Sequence, residues 1–182
     1  HSLWVKKVLQ AFDRFRLLCA VREGDWGVTG LNTAIERELI ARKRLVKDGP
    51  WYAGRPVMVT RNDSALGVFN GDIGITLPSP DGLLRVYFLD GDQLRSVGVA
   101  RLAHIETAFA MTVHKSQGSE FTHAALVLPA YGGSVLGREL VYTGITRAKA
   151  QCTVFTQHPK VLAQALAQPT QRHSGLLEFF DS

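Results

Sequence analysis

The sequence is poor in cysteine and in metal-ligand spacing. Cys19 and Cys152 sit far apart, without CxxC spacing and without a Cys/His pairing. That argues against a disulfide framework and a zinc ribbon, and it fits a reducing, cytoplasmic setting. The six histidines show no HxxxH or HExxH pattern, so no metal site is expected. A GxxxxGK[ST] loop is missing, so these residues do not cradle a triphosphate in the P-loop manner. Apolar runs such as Ala124 to Leu128 fall far short of the roughly 20 residues that a membrane span needs. No repeat or low-complexity tract occurs. Residues 51–103 contain no lysine at all.

What is present reads as one globular unit with a small insertion. The chain has 182 residues, 46% apolar and 20% charged, enough to bury a sizeable core. It opens on His1-Ser2 with no methionine and no signal-peptide pattern, the start expected of a tagged fragment of something longer. The formal net charge of +5 is concentrated in residues 1–50, with 10 basic and 6 acidic groups. Such an excess permits contact with a phosphate backbone and equally suits a solvated helix face.

Periodicity divides the chain in three. Residues 3–14 have helical apolar spacing, and Phe15 to Val21 is a short apolar run suited to a buried strand. Thr29 or Asn32 is then placed to cap a helix running to about Val46, whose last turns carry Arg42, Lys43, Arg44 and Lys47. From Gly54 to Leu102 the pattern becomes short β runs broken by Asn70-Gly71, Asp81-Gly82 and Asp90-Gly91. This neutral stretch is expected to be a small all-β barrel or meander inserted into an α/β domain. Beyond it, α/β alternation resumes. Residues 122–128 and 151–156 read as strands, and 136–149 and 161–167 as helices.

Two polar clusters stand out. In Thr112-Val-His-Lys-Ser-Gln-Gly-Ser-Glu120, Lys115, Ser116 and the amides around Gly118 can hold phosphate, and Glu120 can accept from a ribose hydroxyl. The plainer alternative is a polar loop with a cap. In Glu139-Leu-Val-Tyr-Thr-Gly-Ile-Thr-Arg-Ala-Lys149, Arg147 is expected to project from a packed helix, where it can stabilise charge on a transferred γ-phosphoryl group. Its alternative is a surface arginine paired with Glu139 or placed near a helix end.

Together the clusters resemble motifs V and VI of superfamily 1 helicases, closest to the RecD-like branch. Leu17-Leu-Cys-Ala-Val-Arg-Glu-Gly24 with Gly27-Val-Thr-Gly-Leu-Asn32 is similar to that branch's motif IV region. Gly67-Val-Phe-Asn-Gly-Asp-Ile-Gly74 resembles the signature of its inserted barrel, and His173-Ser-Gly-Leu-Leu177 resembles its ending. The resemblance covers nearly the whole chain. It implies a RecA-like second motor domain, a parallel sheet with flanking helices formed by residues 1–54 and 104–182, interrupted by a Src-homology-3-like barrel at 55–103. It further implies ATP-dependent 5′-to-3′ DNA helicase activity, with the P-loop and Mg2+ supplied by a first motor domain. Arg147 would be the arginine finger. Gln117, Gly118 and Glu120, with Arg22 as a second phosphate contact, would lie near ATP. Thr112, His114, Lys115 and Ser116 would lie against single-stranded DNA. Members acting in double-strand-break repair within exodeoxyribonuclease V have RecB and RecC subunits as partners. The competing readings are a non-enzymatic nucleic-acid or protein interaction module, and another superfamily 1 branch (relaxase-associated or stand-alone RecD-like).

Overall fold

A computed structural model of the chain describes residues 1–131, 133 and 136–168. The segment His173-Ser-Gly-Leu-Leu177 lies outside the described residues. The elements run α1 (Ser2–Asp13), β1 (Phe15–Cys19), α2 (Val28–Ala41), β2 (Pro56–Val59), β3 (Ile73–Pro78), β4 (Leu84–Asp90) and β5 (Gln93–Gly98). They continue with β6 (Ile105–Thr107), β7 (Ala110–Thr112), β8 (Phe121–Val127), α3 (Arg138–Ile145), β9 (Ala148–Phe155) and α4 (Pro159–Ala167). Short 3-10 turns occupy Val99–Arg101 and His114–Ser116.

The strands form two sheets. One has four strands in the order β7-β1-β8-β9, all parallel. Its strands alternate their side chains between two helical layers, as strands covered on both faces must. Leu18, Ala124 and Leu126 meet Val141 of α3 with Val161 and Ala165 of α4. Cys19 and Ala110 face the other way, onto Val28 of α2. Gly144 lets α3 settle on β8, since a Cβ there would lie 3.0 Å from Leu126 Cδ1.

The other sheet is antiparallel, with order β5-β4-β3-β2-β6. All four expected runs are strands, and the two-residue link Gly91-Asp92 closes β4 onto β5 with Gly91 at φ +56°. The three residues of β6 had no sequence signal. They pair with β2 and carry this sheet to Thr107, past the expected limit at 103. The sheet has two covered faces. Val57, Val59, Val86 and Phe88 build its inner core, while Ile75, Leu77 and Tyr87 pack on Val5 and Leu9 of α1. Met58 points away from its neighbours on β2 and joins the core of the parallel sheet. Period-two alternation within one strand therefore serves two cores.

Three expectations change on contact with the structure. Neither Thr29 nor Asn32 caps α2. The cap is Gly27, extended at φ −97° and ψ 178°, and the first helical amides of Val28 and Thr29 donate to the Val21 and Arg22 carbonyls of the folded-back loop. Only glycine fits this crossing, because a Cβ on Gly27 would lie 2.4 Å from the Glu23 carbonyl oxygen. The helix also stops at Ala41, where Lys43 turns left-handed at φ +54°, so Lys43, Arg44 and Lys47 fall outside it. Finally, α3 ends at Ile145, and Ala148 and Lys149 belong to β9 because Ala148 aligns with Phe121 in the parallel register.

Asn32 has a different task. Its side chain is buried and donates to the Thr107 and Ala110 carbonyls at 3.0 and 3.2 Å, while its Oδ1 accepts from the Ala110 amide at 3.0 Å. One side chain thereby ties α2 to the turn where the antiparallel sheet hands over to the parallel one. Asn32→Ala strands three backbone groups and should cost about 1–3 kcal/mol, read as a lower urea midpoint at unchanged slope.

Cys19 is fully buried, and burial pushes its thiol from 9.0 up to about 12. Its unfolded form loses the proton first, so the stability contribution present below pH 9.0 should be lost progressively between 9.0 and about 12. Thiol titration of the native chain should modify the exposed Cys152 and reach Cys19 only on denaturation.

Candidate functional site

The segment joining β7 to β8 crosses the whole parallel domain. It leaves the C-terminal end of β7 at Thr112, turns through His114–Ser116, and enters the N-terminal end of β8 at Phe121. Because the strands are parallel, its two ends lie at opposite ends of the sheet, and the candidate residues separate accordingly.

At the N-terminal end, the two polar clusters meet. Arg147 lies in the turn between α3 and β9, one residue beyond the helix cap at Thr146. It therefore does not project from the helix as expected. Its Nε donates to the Thr143 carbonyl at 3.2 Å and its Nη1 to the Ser119 carbonyl at 3.2 Å. Its own carbonyl accepts from the Phe121 amide at 2.8 Å. The guanidinium is therefore held on both sides with donors to spare. Beside it, Lys149 and Glu120 form an exposed ion pair at 3.3 Å, which contributes little stability and is easily diverted to another partner. Gln117, Gly118 and Ser119 are exposed. Gly118 adopts φ +84° with no atom within 4 Å of where a Cβ would stand, so its backbone is open to approach. A pocket of about 370 Å³ lined by Arg138, Glu139, Tyr142 and Thr143 opens along the same face of α3.

At the C-terminal end lie Thr112, His114 and Lys115. His114 is exposed. Lys115 donates from Nζ to Asn70 Oδ1 at 2.9 Å, reaching a turn of the antiparallel sheet, and its amide donates to Thr112 Oγ1 at 3.3 Å. Ser116 departs from expectation. It is fully buried and its hydroxyl donates to the Val113 carbonyl at 2.7 Å, so it closes the turn from inside and offers nothing at the surface. Arg22 also sits at this end, beyond β1, in a 2.6 Å ion pair with Glu106 of β6. The structure thus does not bring Arg22 together with Arg147.

Sequence reasoning passed over Arg16. It lies on β1 and is 1% exposed, with Asp13 at 2.8 Å as its ion-pair partner. Nε and Nη1 are buried without a hydrogen-bond partner. The guanidinium lies 4.2 Å from the Phe12 ring centroid and 5.0 Å from that of Phe121, within cation–π range of both. Burial lowers its pKa to about 10 against the pull of Asp13, and burial likewise raises Asp13 against the pull of Arg16. A charge inside the otherwise apolar run 15–21 was the available signal.

Comparison with known proteins sets the class. Residues 107–155 match the family described as UvrD-like helicase C-terminal domain. The fold agrees with the Bacteroides Pif1 helicase in complex with ADP-AlF3 and ssDNA, at a TM-score of 0.55 and 16% identity over 93% of this chain and 45% of that one. The chain thus has a helicase-like α/β fold. Within that class, the chain is similar over most of its length to RecD. It is 42% identical over 167 residues to the RecBCD enzyme subunit RecD of Haemophilus influenzae, covering 91% of this chain and 25% of that protein. Against the Mycobacterium tuberculosis H37Rv subunit it is 42% identical over 168 residues, 92% of this chain and 29% of that protein. The ATP-dependent RecD2 DNA helicase of Deinococcus radiodurans is 31% identical over 165 residues, 90% of this chain and 23% of that protein. The chain thus spans about a quarter of the length of these relatives. Among the described residues, no helix is long and apolar enough to cross a membrane.

Replacing a buried charge by an apolar side chain of similar length is often neutral or stabilising by about 1–4 kcal/mol. Arg16→Met leaves Asp13 with 61% of its side chain exposed, so chemical denaturation should show no loss of stability. A loss above about 2 kcal/mol would mean that the pair itself holds the fold.

Proposed function

We propose that this chain is the second motor domain of a RecD-type, ATP-dependent 5′-to-3′ DNA helicase, acting in double-strand-break repair as the RecD subunit of an exodeoxyribonuclease V beside RecB and RecC. The 42% identity to RecBCD subunits against 31% to the RecD2 helicase favours the subunit over the stand-alone enzyme. On this reading residues 1–54 and 104–182 are RecA-like, and 55–103 form a Src-homology-3-like barrel. Four antiparallel strands within 55–103, with β6 just beyond at Ile105–Thr107 after a 3-10 turn, support the barrel. The setting is cytoplasmic.

The observation that carries the reading is the junction at Arg147. Its guanidinium is fastened to the Ser119 carbonyl, beside the open backbone of Gly118 and the exposed Gln117 and Glu120. Such a group, pre-oriented by its own hydrogen bonds, can meet charge developing on a γ-phosphoryl oxygen without reorganising. ATP would lie between this face and a P-loop domain, which would bring the magnesium and the acid that activates water. Gln117 and Glu120 would contact the nucleotide. Closure of the two domains on ATP and their release after hydrolysis would drive stepping. At the opposite end of the sheet, Thr112, His114 and Lys115 would grip the single-strand backbone without reading sequence. Arg22, paired with Glu106 at that end, would steady the junction of the two sheets; this replaces a role at the phosphate.

The isolated chain is expected to hydrolyse no ATP. In the full-length protein, Arg147→Ala should lower DNA-stimulated kcat by about 10³-fold or more, the worth of an arginine finger. The thermal midpoint should hold, since the lost contacts are to partly exposed carbonyls. Near-wild-type turnover in that variant would remove Arg147 from the reaction.

A further inference from the structure

The loop between β2 and β3, residues 60–72, is braced from within. Asp63 and Val68 exchange backbone hydrogen bonds at 2.8 and 3.1 Å, and the Leu66 amide donates to Asp63 Oδ1 at 3.1 Å. The Asn70 amide donates to Asn62 Oδ1 at 2.8 Å and the Phe69 amide to Asp72 Oδ2 at 3.0 Å. From β5, Arg95 donates to the Gly67 carbonyl and to Asp72. Val68 is buried in the inner core of the antiparallel sheet, which points its neighbour Phe69 outward, 50% exposed. The exposure of this ring is imposed by the bracing and is not a consequence of a slack loop.

Its surroundings are polar. Arg61, Asn62 and Asn70 are exposed in the same loop, and Phe69 is its one exposed large hydrophobic side chain, unlike the contiguous apolar patch that a protein partner buries. Asn70, next in sequence, receives the Lys115 ammonium at 2.9 Å, and His114 is exposed beside that lysine. A cleft of about 140 Å³ adjoins the ring, walled by Ile73, Phe88 and Leu89 with Arg95, Asp72 and Asp90 at its polar side. The carboxylate of Asp72 is compensated by Arg95 at 3.3 Å.

We propose that Phe69 is a base-stacking platform for single-stranded DNA, extending the strand's path from Lys115 onto the antiparallel sheet. A rigid aromatic face beside cations that meet phosphates is the chemistry of sequence-tolerant single-strand binding. The inference rests on the reading of His114 and Lys115 as backbone contacts. It adds a residue on a different element with a different physical signature, because stacking is indifferent to salt and phosphate contact is not.

The test uses the full-length protein, with its partner subunits where it has them, and a fluorescent oligothymidylate as probe. Phe69→Ala should weaken binding about tenfold, the lower part of the range for one lost stack, with an unchanged salt slope. It should raise the DNA concentration for half-maximal ATPase by a similar factor at unchanged kcat. Phe69→Trp should restore affinity and show tryptophan emission, relative to wild type, that the oligonucleotide quenches. Lys115→Ala should instead lower the salt slope by about one. If Phe69→Ala binds as wild type, or the Phe69→Trp signal ignores DNA, stacking is refuted while the Lys115 result stands by itself. If Lys115→Ala leaves the slope intact, the underlying reading of that surface fails. Loss of a partner subunit from Phe69→Ala with DNA affinity intact would make the ring a protein contact and overturn the proposal.

Discussion

A guanidinium that cannot reach water fixes the end of the parallel sheet where the candidate finger sits. Arg16 emerges from β1 into the space between Phe12 on α1 and Phe121 at the start of β8. Its ion-pair partner, Asp13, closes α1. A buried charge separated from its counter-ion is expensive, so the end of α1 must stay over the start of β1. Phe121 is held in the same sandwich, and its amide carries the Arg147 carbonyl. The position of Arg147 is thus set from behind by aromatic rings and a buried guanidinium whose partner Asp13 reaches the surface, while its own guanidinium keeps donors for the front.

The same helix joins the two sheets. One face of α1, with Val5 and Leu9, covers the antiparallel sheet, and its last turn clamps Arg16 on the parallel one. Met58 adds an apolar bond between the cores. Three polar contacts reinforce the seam, Asn32 to the Thr107 carbonyl, Arg22 to Glu106 and Lys115 to Asn70. A peripheral insertion hanging from two linkers would need none of these. The antiparallel sheet is built into the domain through packed and hydrogen-bonded groups, the kind of contiguous network that can carry coupling.

Local patterning was a good guide wherever the decisive contact is local. The apolar run at 15–21, the four β runs and the Asp90-Gly91 turn all became the expected elements, because alternation and positive-φ residues act over a few positions. The first cluster was legible as a polar segment, and the second as a packed helix with an arginine near its end. Their meeting at Ser119 and Arg147 is a long-range fact, 28 positions apart, that only the register of β8 on β9 creates. The failures are of two kinds, distant partners and tight local turns. Asn32 looked like a cap and is a tether, because its partners lie 75 and 78 positions away. Ser116 looked like a phosphate ligand and is buried, because the turn at Val113 folds its hydroxyl inward. β6 has only three residues, all half-buried, and exists because β2 offers an edge.

The placement of the β7–β8 segment carries one more consequence. Residues 112–120 run from the end of the sheet bearing His114 and Lys115 to the end bearing Arg147. Ser116 anchors the middle of that run in the core, so its two halves cannot slide as a loose loop would. Gly118 supplies the one left-handed backbone position in the segment, beyond the anchor and before Ser119. Arg147 is hydrogen-bonded to the Ser119 carbonyl, one residue past that glycine. The segment is thus held on both sides of its glycine turn, by Ser116 in the core and by Ser119 at Arg147.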